Sequence, residues 1–305
     1  MNIGVIIVTY NRIEKLKIAL DSFAKQSFLP KYVLVVNNHS TDNTEEYLKE
    51  WNNIDDGFDK YIINTETNLG GSGGFFIGQE EALKLDADWI WFSDDDAYPD
   101  IDALEKANEF LEKYEYKEML AAICGKVINN GKIHYAHRRN LKKRLFNVKI
   151  IKSEEEDYKK DFFEINLFSY VGTIINKNYL LEYGLVNKNY FIYYDDTEHS
   201  YRLSKNGKIL CVPRITITHD IWENKVTECD WRTYYSIRNN LIFIKTVSKR
   251  YFFYNYLKLK IKLSVKKIIN YKPYSLKLIE TAINDAKNDK LGKNEIYKPG
   301  WKPSK

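Results

Sequence analysis

Three consecutive aspartates, Asp94, Asp95 and Asp96, follow the mostly apolar run Asp88–Ser93. The run predicts a strand buried in a sheet, and in open α/β sheets ligands bind beyond the carboxyl ends of the strands. Adjacent carboxylates repel one another and resist burial, so this strand end requires a compensating cation. We therefore expect Asp94 and Asp96 to hold Mn²⁺ or Mg²⁺ on a nucleotide diphosphate. The alternative is an acidic turn that caps the helix starting near Ile101.

Apolar strands and amphipathic helices alternate along the first part of the chain. Ile3–Val8 and Tyr32–Val36 are continuous apolar runs, and Tyr61–Asn64 is a shorter one. This alternation predicts an α/β fold with right-handed crossovers and a mostly parallel central sheet flanked by helices. The length of 305 residues allows one large domain at 1–240 and a smaller helical, basic extension at 241–305.

A glycine-rich stretch lies between the third strand and the aspartates. Four of the positions 70–74 are glycine, and we expect a loop over Asn68–Phe75 followed by a helix to about Leu85. Glycine lets the backbone approach a ligand, and amides at the start of a helix favour an anion. The stretch lacks the Gly-Lys-Ser/Thr of a P-loop, so alone it is also consistent with a flexible turn.

A second acidic cluster, Asp195-Asp196-Thr197-Glu198, follows an aromatic run at 190–194. An aspartate here could simply cap a helix, but it could also supply the general base that the first cluster lacks. His219 follows a predicted strand and could complete the metal shell opposite Asp96. The charged stretch 129–160 predicts an irregular flap. We expect the two histidines in this flap to be solvated and assign them no ligand role.

Composition excludes several classes of protein. The three cysteines are widely spaced, which argues against a disulfide framework or a zinc site and favours a reducing, cytoplasmic compartment. No signal peptide is evident, and no run reaches the ~18 apolar residues of a membrane span.

The basic charge is concentrated near the C-terminus. Nine Lys or Arg and no acidic residue lie between Lys245 and Lys272, so the net charge of +5 is local to this segment. Apolar residues recur there near helical spacing, which predicts a helix peripheral to an anionic membrane, on the inner face of the cell membrane. A solvated helix packed on its own domain is the alternative. No nucleic-acid recognition motif accompanies the basic segment.

The order and spacing of these motifs resemble inverting glycosyltransferase family 2, whose members have the GT-A fold. The resemblance spans roughly residues 1–240. Val8–Arg12 and Val36–Asp42 look like the first two strand ends that line the nucleotide. Asn68–Phe75 and Tyr234–Asn240 are similar to segments of the galactofuranosyl- and rhamnosyltransferase branch.

The resemblance implies roles for individual residues. Asp196 matches the catalytic base, and Asp94, Asp96 and His219 match the metal ligands. The nucleotide-binding residues it implies are Thr9, Tyr10, Asn11, Arg12, Asn38, Asn68, Gly70, Gly71, Gly74, Asp94 and Asp95. The substrate-binding residues it implies are Asp195, Glu198, Trp91 and Tyr194.

The expected function is metal-dependent, inverting transfer of a sugar onto a hydroxyl of a growing surface polysaccharide or glycolipid. The resemblance favours galactofuranose from UDP-galactofuranose, and a rhamnosyltransferase using dTDP-rhamnose is the first alternative. A non-catalytic nucleotide- or glycan-binding subunit of a polysaccharide assembly complex is an alternative from another class. A nucleotidyltransferase, which would release pyrophosphate, is a third.

Overall fold

The computed structural model describes residues 1–145, 147–221, 229–268 and 273–303. Within these ranges the strands are β1 (Ile3–Thr9), β2 (Tyr32–Asn37), β3 (Asp59–Asn64), β4 (Trp89–Asp94), β5 (Ala97–Pro99), β6 (Leu120–Asn129), β7 (Lys132–Ile133), β8 (Arg138–Lys143), β9 (Val148–Lys152), β10 (Phe163–Ile165), β11 (Leu167–Phe168), β12 (Thr173–Asn176) and β13 (Lys208–His219). The α-helices are α1 (Ile13–Ala24), α2 (Thr44–Trp51), α3 (Gly70–Ala82), α4 (Ala103–Lys113), α5 (Lys177–Tyr183), α6 (Asp195–Leu203), α7 (Trp231–Val247), α8 (Lys249–Ile268) and α9 (Pro273–Lys287).

The central sheet has the strand order β10-β13-β6-β12-β4-β1-β2-β3, with β5 and β7 added at its edge. The strands β4, β1, β2 and β3 run parallel, as do β6 and β13. β12 lies antiparallel between β4 and β6. The prediction of a mostly parallel sheet flanked by helices is therefore confirmed. All carboxyl ends of the parallel strands β1, β2 and β4 lie at one edge, which is where the candidate site forms.

The sheet is covered on both faces because its inner strands are apolar throughout. Ile3, Val5 and Ile7 of β1 face one core with α1, while Ile6 and Val8 face a second core with α3. The period of two along the strand sends alternate residues to opposite faces, so a continuous apolar run becomes a strand buried on both sides.

The glycine-rich stretch is helix rather than loop from Gly70 onward, which corrects the predicted loop over 68–75. Its glycines serve close packing. A Cβ on Gly74 would lie 2.6 Å from Val8 Cγ1, and one on Gly78 would lie 2.6 Å from Ile6 Cγ2. The first turns of α3 thus lie directly on β1 because these positions carry no side chain.

Another expectation differs from the structure. The stretch 129–160 is not an irregular flap, because β8 and β9 form a hairpin that pairs with β11. Two short strands, β11 and β12, follow this hairpin sheet along the chain. The long strand β13 has a register shift between Cys211 and Thr216.

The C-terminal helices pack on one another and on the segment that precedes α6. Leu241, Leu263 and Ile283 come from α7, α8 and α9 and share a core with Tyr190. The domain boundary predicted at residue 240 lies inside α7, and part of the predicted extension, residues 269–272 and 304–305, lies outside the described residues. Among the helices described, none is both long and apolar enough to cross a bilayer.

Gly78→Ala should destabilise the protein, because the new methyl group would meet the branched side chain of Ile6. We expect the free energy of unfolding to fall by about 1–3 kcal/mol, the usual cost of overpacking. Gly71→Ala is the matched control, since nothing lies within 4 Å of its Cβ position. Alanine favours a helix over glycine, so the control should not lose stability. Urea unfolding measures both, and equal behaviour of the two variants would refute the packing argument.

Candidate active site

The ends of β1, β4 and β13 bring the first acidic cluster together. Val8 pairs with Asp94 across β1 and β4, and His219 pairs with Ala97 across β13 and β5. The carbonyl of Asp96 accepts a hydrogen bond from the amide of Asp220 at 2.8 Å. The turn that carries the three aspartates is thereby held against the end of β13.

Asp94, Asp96 and His219 converge on one point. One ligand atom from each lies within 4.8 Å of the others. His219 Nε2 and Asp96 Oδ1 are 3.1 Å apart, and both residues are buried. Carboxylate oxygens and a single imidazole nitrogen form a donor set that suits Mn²⁺ and, less well, Mg²⁺. The residues present therefore fit the divalent ion expected from the sequence.

The aspartates are unequal in charge. Burial raises the pKa of Asp94 to about 7, and repulsion from Asp96 adds to this effect. Burial likewise raises the pKa of Asp95 to about 6 against the opposing charge of Arg12. Burial acts in the same direction on Asp96, but the hydrogen bond with His219 and nearby positive charges outweigh it, so the pKa of Asp96 is lowered.

Two basic side chains of the β1–α1 region neutralise these carboxylates. Arg12 Nη1 lies 2.7 Å from Asp96 Oδ2 and 3.2 Å from Asp95 Oδ1. Lys15 Nζ lies 3.8 Å from Asp96 Oδ2 and also pairs with Asp220. The sequence predicted that Arg12 lies near a nucleotide, but it did not predict that Lys15 pairs with the acidic cluster. The only sequence signal for Lys15 is its position one helical turn after Asn11 and Arg12.

The predicted nucleotide-binding residues gather along the carboxyl edge of β1 and β2. Thr9 Oγ1 donates to Asp95 Oδ2 at 2.9 Å. Asn11 exchanges side-chain hydrogen bonds with Thr41, and Tyr10 is exposed. Asn38 Nδ2 donates to the carbonyl of Gly70 at 2.9 Å. These contacts hold the two strand ends and the start of α3 together as one surface.

The start of α3 is less open to an anion than its glycines indicate. The amide of Gly70 donates to Asn68 Oδ1 at 2.8 Å, and the amide of Ser72 donates to the carbonyl of Phe191 at 3.2 Å. Gly74 packs against Val8, so the absence of a side chain there serves contact with β1. Gly71 has open space beside it. Among these positions, the predicted approach of an anion is therefore least obstructed at Gly71.

The second acidic cluster forms the first turn of α6. Asp195 is buried, and burial raises its pKa well above the usual value, with the charges of Asp196 and Asp94 adding to the effect. The contribution from Asp94 means that the two clusters lie close enough to interact. Asp196 Oδ1 accepts hydrogen bonds from Thr197, and its Oδ2 lies 3.9 Å from Arg139 Nη2. Asp196 is therefore a partly exposed carboxylate beside the buried Asp195.

The backbone before α6 is strained. Phe191 has φ 69° and ψ −61°, the values of a tight γ-turn, and the amide of Ile192 donates to the carbonyl of Tyr190 at 2.9 Å. Tyr193 and Tyr194 also have positive φ, 65° and 67°. Such conformations cost about 1–3 kcal/mol each in residues other than glycine and persist only when their surroundings enforce them.

Two side chains of α7 enforce this backbone. Asn239 Nδ2 donates to the carbonyls of Tyr190, Ile192 and Tyr193 at 3.0, 2.8 and 2.9 Å. Arg238 Nη2 donates to the carbonyl of Tyr190 at 3.0 Å, and both α7 side chains are buried. The Tyr234–Asn240 segment was recognised from the sequence without a role. Its role is to hold the segment that delivers Asp195 and Asp196.

The remaining predicted substrate residues differ in position. Glu198, the last residue of the second acidic cluster, is paired with Arg202 one turn along α6. Tyr194 is half-buried against Phe243 of α7. Trp91 is fully buried in the core beneath α1 and meets Phe23 edge to face, so it has no exposed surface to offer a sugar. Strand aromatics of this kind are usually core residues.

With this geometry in place, the comparison with known proteins is decisive. The model of the family described as "Glycosyl transferase family 2" matches residues 4–184. The chain belongs to glycosyl transferase family 2. The match includes the first acidic cluster, Asn38 and the start of α3.

Curated relatives of the chain are galactofuranosyltransferases. GlfT1 of Mycolicibacterium smegmatis is 35% identical over 94 residues, covering 31% of this chain and 30% of the relative. GlfT1 of Mycobacterium tuberculosis is 32% identical over 121 residues, covering 39% and 38%. GlfT2 of M. smegmatis is 23% identical over 264 residues, covering 79% and 40%. The chain thus spans well under half the length of these relatives.

Solved structures share the fold. The structure of S. aureus TarS 1–349 in complex with UDP has a TM-score of 0.56 and 18% identity, covering 80% of this chain and 65% of that one. The structure of GalNAc-T7 with UDP, GalNAc and Mn²⁺ has a TM-score of 0.60 and 17% identity, covering 80% and 48%. At this identity the likeness establishes the GT-A fold expected from the sequence.

Asn239→Ala should lower stability markedly, because three carbonyls of the strained segment lose their shared donor. A buried polar group left without a partner costs about 1–3 kcal/mol, so we expect a loss of at least about 2 kcal/mol in the free energy of unfolding. Asn53→Ala, which removes one exposed bond to the carbonyl of Lys49, is the control and should stay within about 0.5 kcal/mol. If Asn239→Ala loses no more unfolding free energy than the control, Asn239 does not stabilise the strained segment.

Proposed function

We propose that the protein transfers a sugar from a nucleoside-diphosphate donor to an acceptor hydroxyl with inversion at the anomeric carbon. The observation that carries this proposal is the pairing of two unlike acidic clusters. One offers the donor set Asp94, Asp96 and His219, and the other contains the partly exposed Asp196 next to Asp195, on which the charge of Asp94 acts. Membership of glycosyl transferase family 2 supports the same reaction class.

Asp94, Asp96 and His219 would hold the divalent ion, with Mn²⁺ favoured by the imidazole donor. When bound, such an ion neutralises the charge that grows on the nucleoside diphosphate as the sugar leaves. Arg12 and Lys15 lie on the same carboxylates and are placed to contact phosphate oxygens once a donor enters. Thr9 orients Asp95 by a hydrogen bond, which keeps that carboxylate from rotating toward the proposed metal ligands.

Asp196 would act as the general base. Its Oδ1 is held by the amide and the hydroxyl of Thr197, so the carboxylate has a fixed direction. It accepts the proton of the acceptor hydroxyl while that oxygen forms a bond to the anomeric carbon and the bond to the leaving diphosphate breaks. One carboxylate and one in-line displacement give inversion, whereas retention by a covalent route requires a second carboxylate as nucleophile. Asp195 and Glu198, in the same turn of α6, are the proposed partners of sugar hydroxyls.

Galactofuranose from UDP-galactofuranose is the proposed donor sugar. Relatives that match parts of the chain are named galactofuranosyltransferases, which favours this sugar over rhamnose. A glycan or lipid-linked glycan is the corresponding acceptor. The intact pair of acidic clusters favours an enzyme over a non-catalytic binding subunit.

Asp196→Asn should abolish transfer while leaving donor binding intact, because asparagine keeps the shape but cannot accept the proton. We expect UDP release from UDP-galactofuranose, in Mn²⁺ with a glycolipid acceptor, to fall by about 10²–10⁴-fold. Asp96→Ala should lose donor binding as well, and EDTA should stop the wild type. Asp86→Asn changes an exposed acid elsewhere and serves as the control. Turnover of Asp196→Asn at the rate of the control would disprove the base assignment.

We also infer that the 245–272 segment, as far as it is described, attaches the enzyme to the inner face of an anionic membrane. Exposed apolar side chains recur at intervals of three or four along α8, so they lie on one face of the helix. Their exposed fractions range from 43% to 81%. They are Phe253, Leu257, Ile261, Val265 and Ile268. Lysines follow several of them in sequence, which suits a surface that combines acyl chains with anionic headgroups.

The double change Ile261→Ser with Val265→Ser tests this attachment without touching the packed helices. Vesicles containing phosphatidylglycerol should bind the wild type in a salt-sensitive way, and vesicles of phosphatidylcholine alone should bind it much less. Removing two aliphatic side chains from the bilayer face should weaken binding by roughly tenfold or more. Ile54→Ser, at an equally exposed site on another surface, is the control. If the double variant and the control both float with the vesicles to the same extent as the wild type, the membrane role is rejected.

A further inference from the structure

A cluster of three histidines lies directly behind the first acidic cluster. His137 Nε2 is 3.0 Å from His134 Nδ1 and 3.4 Å from His219 Nδ1. One ring nitrogen from each histidine lies within 4.8 Å of the others. His137 and His219 are buried and His134 is half-buried, so the sequence-based expectation of solvated loop histidines is wrong.

The spacing of these nitrogens matches a shared metal ion better than a hydrogen-bond pair. A neutral ring nitrogen carries either one hydrogen or one lone pair, so it makes one strong hydrogen bond. Here two ring nitrogens approach the same atom, His137 Nε2. Zinc–nitrogen bonds of about 2.0–2.1 Å place tetrahedral ligands about 3.3 Å from one another. The observed distances from His137 Nε2, 3.0 Å to His134 Nδ1 and 3.4 Å to His219 Nδ1, lie on either side of that value.

The outer contacts also match those of metal-bound histidines, whose second nitrogen is usually held by an oxygen. His137 Nδ1 lies 2.5 Å from Ser169 Oγ. His219 Nε2 lies 3.1 Å from Asp96 Oδ1. These contacts orient the two buried rings so that the remaining nitrogen of each points into the cluster.

The backbone around the cluster is rigid. His134 and His137 flank a single turn of 3₁₀ helix, and the amide of His134 donates to the carbonyl of Val127 in β6 at 2.8 Å. The carbonyl of His137 accepts from the amide of Ser169 at 3.0 Å. His219 ends β13, which is paired with β6. A site assembled on paired strands in this way needs little rearrangement to bind an ion.

We propose that His134 Nδ1, His137 Nε2 and His219 Nδ1 form a second metal site, selective for Zn²⁺ and similar borderline ions over Mg²⁺. Three imidazoles with one remaining position for water are a known zinc arrangement, whereas Mg²⁺ requires oxygen ligands. The site is separate from the donor set at Asp94 and Asp96, but it uses the other nitrogen of the same histidine, His219.

This shared histidine couples the two sites. A neutral His219 that binds an ion through Nδ1 keeps its hydrogen on Nε2 and donates it to Asp96. That nitrogen is then withheld from an ion at the carboxylates, so each ion weakens the other by the same factor. The coupling rests on the proposed function of the acidic cluster, whereas the existence of the three-histidine site does not.

Visible absorption of Co²⁺ tests the site without any activity measurement, because tetrahedral Co²⁺ absorbs far more strongly than octahedral Co²⁺. The full chain, stripped of metal, is titrated with Co²⁺ in excess Mg²⁺. We expect intense bands at one equivalent that Zn²⁺ removes. His134→Gln and His137→Gln should each weaken binding at least about tenfold, since changes even in outer contacts of a metal site cost 10–100-fold. His39→Asn, an exposed histidine elsewhere, should leave the bands unchanged.

Asp94→Asn separates this proposal from the proposed function. It should keep the Co²⁺ bands while losing Mn²⁺-dependent donor turnover. The absence of intense bands in the wild type, or their survival in both folded histidine variants, would overturn the three-histidine site. Circular dichroism establishes whether each variant is folded. If the variant at the buried His137 does not fold, His134→Gln still tests the site.

Discussion

The repulsion among carboxylates gathered in one place is the constraint on which the site depends. Asp94, Asp95 and Asp96 follow one another in sequence, and the charge of Asp94 adds to the burial that raises the pKa of Asp195. Such a cluster persists because positive groups surround it. Arg12 and Lys15 supply that charge from the start of α1, and His219 supplies a polar partner from the end of β13. A fold that concentrates negative charge in this way is prepared for a cation and for phosphate.

The position of the proposed base depends on a different kind of support. The γ-turn at Phe191 and the left-handed residues after it are unfavourable by themselves, and α7 stabilises them through Asn239 and Arg238. The C-terminal helices are therefore more than an appendage to the sheet. They contribute the donors that hold the segment immediately before Asp195 and Asp196. This explains why a polar pair is buried in the otherwise apolar contact between α7 and the segment before α6.

The sequence predicted what depends on local pattern and missed what depends on contacts between distant segments. The apolar runs of β1, β2 and β4 were predictable because sequence pattern and burial agree there. The helix that begins at Gly70 was not predictable, because a run of glycines favours a loop. Here the missing side chains allow close packing on Val8 and Ile6, which stabilises the helix. The hairpin β8–β9 was not predicted, because the charged residues in its strands obscure a strand pattern.

The same division holds for the site. Both acidic clusters and His219 could be singled out from residue type and position at the ends of elements. The core position of Trp91 and the support from Asn239 could not, because they depend on which faces of separate elements meet. His134 and His137 look like ordinary loop residues in the sequence. Only the pairing of β6 with β13 brings them to His219.

The start of α3 also has an implication for how the two halves of the site communicate. Gly70 is held by Asn38 on one side, and a side chain at this position would overlap the carbonyl of Phe191 on the other. Ser72 adds bonds to the carbonyls of Phe191 and Asn187. The end of β2 and the segment that precedes Asp195 are therefore joined through a single helical turn. Neither can shift relative to the other without breaking hydrogen bonds of Gly70 or Ser72, so this turn fixes the distance between the two acidic halves of the candidate site.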